Sequence, residues 1–179
     1  VKVIDDPEMV NAWCMAGGKM AIYTGLLKKV KPTDDELAQV MGHEIAHALA
    51  NHTAEKMSVQ MATQIGMVAV AVAASDSDYG GAAMTGAALA ATMAIQLPNS
   101  RTAEREADQM GIELAARAGY NPNAAATLWQ KMGRVGGESP PEFMSTHPDP
   151  ANRQNTLKKL APKMMPYYKA IKQRPVYPL

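Results

Sequence analysis

Apolar and polar positions along the chain change period several times, and each change marks an element. Val1-Lys2-Val3-Ile4-Asp5-Asp6 reads as a short strand entering a turn, and residues 9–15 and 19–24 read as two strands flanking Ala16-Gly17-Gly18. Those small residues suit the backbone angles of a tight turn, so a β-hairpin is expected. Thr33-Asp34-Asp35-Glu36 has the form of a capping box, in which the Thr33 side chain accepts from a backbone N–H and Glu36 reaches back. A helix is expected from there to about His52.

Residues 53–97 are rich in Ala, Gly and Met and are interrupted by the loop formers of residues 75–81, a pattern that fits two antiparallel helices. The longest apolar run, residues 66–74 with Ile65 before it, falls short of the ~20 residues a bilayer span needs. The second arm, residues 82–97, carries Thr85, Thr92 and Gln96, so a packed or interfacial hairpin is expected rather than a membrane span. Ser100 is expected to cap a helix to about Ala118, and Asn121-Pro122 to start another to about Met132. Residues 136–145 read as a loop. Asp149 opens a helix ending before Pro162, and a last helix occupies about 163–173.

Together these elements predict one α+β domain over residues 1–179, mostly helical, with a small antiparallel sheet beside the helix that begins at Thr33. The abrupt start at Val1 carries the expectation that an upstream segment is missing. Composition agrees with the helical bias: 47% of residues are hydrophobic but only 5% aromatic, with 14 Met and a single Phe. Lys and Arg number 18 against 17 Asp and Glu, a balance that gives no sign of a nucleic-acid partner. The last thirty residues hold seven basic side chains (Arg153 among them) and no acidic one, as a solvated basic helix or a surface for an anionic membrane would. Cys14 is the only cysteine, so an intrachain disulfide is excluded.

Chemistry enters with His43-Glu44-Ile45-Ala46-His47, the H-E-x-x-H pattern placed inside a capped helix. Four helical residues turn the chain about 400°, so His43 and His47 share one face about 40° apart and both imidazoles reach one ion. Glu44 sits about 100° round from His43, out of line as a ligand but in reach of a water at that ion, the place of a general base. A catalytic zinc takes three protein ligands and keeps one position open. His52, nine residues after His43, would point about 180° away on a continuous helix and is expected at the helix C-terminus, facing the dipole.

On the helix after Ser100, Glu104 and Asp108 flank an apolar stripe that includes Ala107 and Gly111, small enough for close helix approach. Glu104 is therefore placed to complete the site, and Asp108 to accept the free N–H of a liganding imidazole. Pairing of both with Arg101 or Arg105 is the alternative. Glu106 falls on the outer face. His147 lies in a loop before Pro148, where it would stabilise an oxyanion, latch the open metal position, or anchor the loop. An extended substrate is expected to add to the strand Lys19, Met20, Ala21, Ile22, Tyr23, Thr24 as an exposed sheet edge.

His43-Glu44-x-x-His47 followed by Ser100-Arg101-x-x-Glu104-x-Glu106-Ala107-Asp108 resembles the zinc peptidase family that includes CAAX prenyl endopeptidases, HtpX and bacterial envelope peptidases. Asn11-Ala12-Trp13, Gly17-Gly18, Tyr23-Thr24-Gly25-Leu26 and Thr146-His147-Pro148-x-Pro150-x-x-Arg153 resemble its soluble envelope branch, although Ala16 stands where many relatives carry proline. The resemblance implies a gluzincin-like fold, one Zn2+ per chain with Glu104 as third ligand, and endoproteolysis of misfolded or unassembled envelope proteins in the periplasm or at the outer membrane. Polypeptides would be the substrates, with a membrane surface or outer-membrane protein as a further partner. Two rival classes are a non-catalytic chaperone or assembly module with a structural zinc closed by His147, and a membrane-associated scaffold.

Overall fold

The computed structural model describes residues 1–15, 17–75, 80–91, 97–135, 141–147 and 150–172. Strands β1 (Lys2–Ile4), β2 (Ala12–Met15) and β3 (Lys19–Tyr23) form one sheet in the order β1-β3-β2. β2 and β3 form the expected hairpin, antiparallel from Ala12 opposite Ile22 to Met15 opposite Lys19. Gly17 and Gly18 take φ of 86° and 75° in its turn, a region that L side chains rarely adopt; Ala16 lies outside the described residues.

β1 pairs parallel with β3, Lys2 opposite Ala21, so the sheet is mixed rather than antiparallel. The same pairing corrects the reading of residues 19–24. β3 is the central strand, covered on one side by β1 and on the other by β2, and it offers no open edge along Ala21 and Ile22.

Gly25 passes so close to the preceding loop that a Cβ would sit 2.3 Å from the Met9 carbonyl oxygen. The chain then winds through a π-helical turn, Leu26–Val30, which buries Leu26 and Val30. Helix α1 (Asp34–Leu49) starts at the full capping box: Thr33 Oγ1 accepts from the Glu36 backbone N–H at 3.3 Å, and the Thr33 N–H donates to Glu36 Oε2 at 2.9 Å. Lys131 Nζ and Thr127 Oγ1 donate to the same carboxylate at 2.6 and 2.7 Å, tying the start of α1 to α5 (Ala124–Val135).

α1 stops earlier than its pattern predicts. Asn51 turns left-handed (φ 57°), one of the few non-glycine types that tolerates that region, and His52 opens α2 (His52–Ala73) instead of closing α1. α2 packs against α3 (Gly80–Ala91), while residues 76–79 between them lie outside the description. Met57, Met61, Ile65, Val68 and Val72 recur at helical spacing along α2 and are 58–69% exposed. Among the described residues no helix is long and apolar enough to cross a membrane.

Helix α4 (Leu97–Arg117) begins three residues before Ser100 and runs along α1. Its approach is set by two glycines: a Cβ on Gly42 would lie 2.6 Å from the Gly111 carbonyl oxygen, and one on Gly111 would lie 2.7 Å from the His43 nitrogen. α6 (Glu142–Thr146) occupies part of the stretch read as loop; residues 136–140 fall outside the description.

α7 (Pro150–Ala170) is one helix where two were expected. Pro162 and Pro166 lie on its exposed side, so the carbonyls that lose their N–H partners face water. Leu157, Ala161, Met164 and Tyr168 meanwhile stay buried along its inner side, and that continuous apolar stripe holds both halves in line. The core they enter is built on Leu26, Val40, Ile112, Leu128, Met132 and Phe143.

Candidate metal centre

α1 presents His43 and His47 one turn apart, α4 supplies Glu104, and the segment just after α6 supplies His147. One donor atom from each of these four buried residues lies within 4.8 Å of the others. His43 Nε2 is 3.0 Å from His47 Nε2, 3.3 Å from Glu104 Oε2 and 3.2 Å from His147 Nδ1. His47 Nε2 is 3.4 Å from Glu104 Oε1, and His147 Nδ1 is 3.1 Å from Glu104 Oε2. A tetrahedral ion with bonds of about 2.1 Å sets its ligand atoms roughly 3.4 Å apart, so the spacing fits such an ion. The donor types, imidazole nitrogen and carboxylate oxygen, fit zinc.

Around these donors a second set of side chains fixes orientation. Asp108 Oδ1 lies 3.1 Å from His43 Nδ1, the ring nitrogen turned away from the cluster. Arg153, 3% exposed on α7, donates to Asp108 Oδ1 from Nη2 and Nε at 2.5 and 2.9 Å and to Glu104 Oε2 from Nη1 at 3.1 Å. The same Nη1 donates to the His147 carbonyl at 3.3 Å, and the guanidinium stacks on Trp129 at 4.1 Å. Arg153 therefore ties α4, the His147 segment and α7 together. It is no part of a solvated basic face, as the charge pattern had suggested.

His52 is also elsewhere than its spacing predicts. Its Nδ1 lies 3.0 Å from His47 Nδ1, and its Nε2 lies 3.4 Å from Glu106 Oε2. No signal of helical periodicity could place it there, because the break at Asn51 does so. Arg101 and Arg105 make no ion pair with Glu104 or Asp108 among the described residues; Arg105 instead bonds within its own helix. None of Lys19, Met20, Ala21, Ile22, Tyr23 and Thr24 lines the cleft that opens beside the cluster. That cleft, of about 420 Å³, has Glu44, His47 and His147 on one side and Trp13, Cys14 and Lys56 among its other walls.

Glu44 is 2% exposed at the cleft floor. Burial raises its carboxyl pKa to about 7; the Glu104 charge adds to the rise, while His43 and a hydrogen bond from the Cys14 backbone oppose it. Its Oε1 lies 3.3 Å from His147 Nε2 without hydrogen-bond geometry, so that buried oxygen has no hydrogen-bond partner among the described residues. Burial also depresses His147, to about 4, against the pull of Glu104. For Glu104 burial acts upward, but hydrogen bonds from His147, His43 and His47 outweigh it and hold the carboxyl well below its usual range. His47 is lowered by burial. His43 is raised: burial and Arg153 act downward and are outweighed by Asp108 and Glu104.

Two imidazole nitrogens 3.0 Å apart, with a carboxylate and a third imidazole closing over them, agree with what comparison of the whole sequence finds. The model of peptidase family M48 matches residues 1–161. The chain belongs to peptidase family M48. The mitochondrial metalloendopeptidase OMA1 of Arabidopsis thaliana is 37% identical to it over 161 residues, 88% of this chain and 30% of the plant protein. OMA1 of Saccharomyces cerevisiae is 32% identical over 176 residues, 94% of this chain and 48% of the yeast protein. The beta-barrel assembly-enhancing protease of Escherichia coli is 32% identical over 166 residues, 89% of this chain and 34% of the bacterial protein. The chain thus spans between about a third and a half of these relatives.

Proposed function

We propose that this M48 chain is the catalytic domain of a zinc endopeptidase in which His43, His47 and Glu104 hold one ion and Glu44 is the general base. The observation that carries the reading is the convergence of those three donors beside a buried carboxyl with an unpartnered oxygen. A zinc ion held there supplies Lewis acidity, polarising a peptide carbonyl and lowering the pKa of water. Glu44, buried at the cleft, takes a proton from the attacking water as a carboxylate and, as the acid so formed, passes it to the leaving amine. Asp108 accepts from His43 Nδ1, the tautomer that leaves the lone pair on Nε2, while Arg153, whose Nη2 also lies 3.0 Å from that Nε2, holds both Asp108 and Glu104 in place.

Substrate lies in the cleft against β2. With β3 buried between its neighbours, β2 supplies the strand edge that faces Glu44, and an extended peptide gains main-chain hydrogen bonds there with little dependence on sequence. Broad specificity suits the removal of misfolded or unassembled proteins. We place this activity in a cell envelope, periplasmic or outer-membrane-associated, a setting in keeping with the Escherichia coli relative named for beta-barrel assembly; the relatives named OMA1 are mitochondrial.

His147 stands where the fourth ligand belongs, 3.1–3.2 Å from Glu104 and His43, so it closes the position that water and substrate must share. This favours a latch over an oxyanion donor. A wholly structural zinc would also have four protein ligands, but it would give the buried Glu44 no task. Metal analysis of the purified protein with casein hydrolysis, with and without chelator, tests the proposal. Glu44→Gln is expected to keep about one zinc per chain and lose cleavage; casein degraded at the wild-type rate by that variant would refute the mechanism.

A further inference from the structure

His52 is buried, lies outside the four-donor cluster and takes no part in the chemistry above. On an unbroken α1 it would sit about 140° round from His47 and face away. The left-handed Asn51 redirects the chain, and the side chain of the first residue of α2 folds back under His47. A left-handed non-glycine residue is uncommon, and here it produces a buried contact between two imidazoles.

The atoms at that contact assign the protons. His47 Nε2 faces His43 and Glu104, so Nε2 is the nitrogen that binds metal and must carry a lone pair. A neutral His47 then carries its hydrogen on Nδ1. Three ångströms away is His52 Nδ1, which must accept that hydrogen and so holds its own on Nε2. His52 Nε2 in turn points at Glu106 Oε2, 3.4 Å away, a carboxylate that can only accept. Each link follows from the one before, and the chain ends at a half-exposed anion.

We infer that His52 and Glu106 form a hydrogen-bonded relay that positions His47, fixing it as the Nδ1–H tautomer so that Nε2 is presented to the metal. The inference rests on the proposed metal site. His43 is oriented directly by a carboxylate, Asp108, and His47 indirectly, through a neutral imidazole to Glu106. His52 is a positioning residue: it lies outside the four-donor cluster and acts on the ion through His47, and its ring also forms part of the cleft wall.

Zinc affinity, measured by competition with a chromogenic chelator, tests the relay in His52→Leu, His52→Gln and Glu106→Ala, alongside thermal melting of each metal-free protein. Loss of such an outer partner costs about 10–100-fold in metal affinity. His52→Leu is expected to lose that much, with metal-free melting unchanged or raised. His52→Gln, whose amide both accepts from His47 and donates to Glu106, is expected to stay within about threefold of wild type, and Glu106→Ala to fall between the two. Histidine-selective 15N NMR of the zinc-loaded wild type should find His47 protonated at Nδ1 and His52 at Nε2. Wild-type affinity in His52→Leu, equal loss in the Gln and Leu variants, or a His52 protonated at Nδ1 would each overturn the relay. A wild-type protein that binds no zinc would instead overturn the metal site beneath it.

Discussion

Replacing Gly111 by alanine tests whether the contact between α1 and α4 sets the geometry of the metal centre. The new Cβ would lie 2.8 Å from His43 Cα and 2.7 Å from the His43 nitrogen, both backbone atoms that no rotamer change can move. Carbon atoms settle at about 3.5 Å, so the helices must part by roughly 0.7 Å. Glu104 rides on α4, two turns before Gly111, while His43 and His47 ride on α1, so that displacement falls directly between the proposed ligands. Metal–ligand bonds tolerate about 0.2 Å. Gly111→Ala is therefore expected to weaken zinc binding by at least tenfold and to destabilise the metal-free fold by about 1–3 kcal/mol, the usual cost of overpacking.

Chelator competition reads the first effect and urea denaturation of the metal-free protein the second. Gly133→Ala in α5 is the control, since its Cβ would meet nothing within 4 Å; it should leave zinc affinity unchanged and gain about 0.5–1 kcal/mol from helix propensity. If Gly111→Ala binds zinc and unfolds as the wild type does, the α1–α4 contact does not govern the site.

Further outcomes are expected at other positions. His147→Ala should retain zinc and raise casein turnover several-fold; a fall in turnover at full metal content would instead assign His147 to the oxyanion. Glu104→Ala should lose tight zinc binding, as metal titration would record, with Glu106→Ala falling far less. At Glu36 burial acts upward on the carboxyl, but hydrogen bonds from Lys131, Thr33 and Thr127 prevail and lower its pKa. A folded value below the unfolded ~4.3 makes this stabilisation full above that pH and lost as pH falls through the folded value. Glu36→Gln should therefore unfold about 1–2 kcal/mol more easily at pH 7 and converge on wild type in acid, as urea titrations across pH would show.

Local signals made much of this protein legible. The capping box at Thr33 and the two glycines of the hairpin act within a few residues, and both elements form as their sequences imply. Helical rotation placed His43, His47 and Glu104 on facing sides of two helices because each lies in an unbroken turn. What escaped depends on distant partners or on single backbone breaks. β3 became a central strand only because β1, some twenty residues earlier, pairs with it in parallel. Asn51 moved His52 by ending α1 early, and its own sequence context gives no strong stop signal. Pro162 suggested a helix end, whereas its outward placement on α7, shared by Pro166, made the break unnecessary. Arg153 looked like one more basic surface residue, and its burial follows from Asp108 and Glu104 on another helix.

The order in which the site's parts occur along the chain has a consequence for biosynthesis. His43, Glu44 and His47 emerge from the ribosome well before Glu104, while His147 and Arg153 come about a hundred residues after the first histidine. At about 5–20 residues per second, several seconds separate the first ligand from the arginine that locks the third. For the first part of that interval the H-E-x-x-H helix has no α4 to close against, and throughout it there is no Arg153 to hold Glu104. On the proposed ligand set, the centre is therefore complete only when α4 and α7 have both docked, and the H-E-x-x-H helix alone does not assemble it.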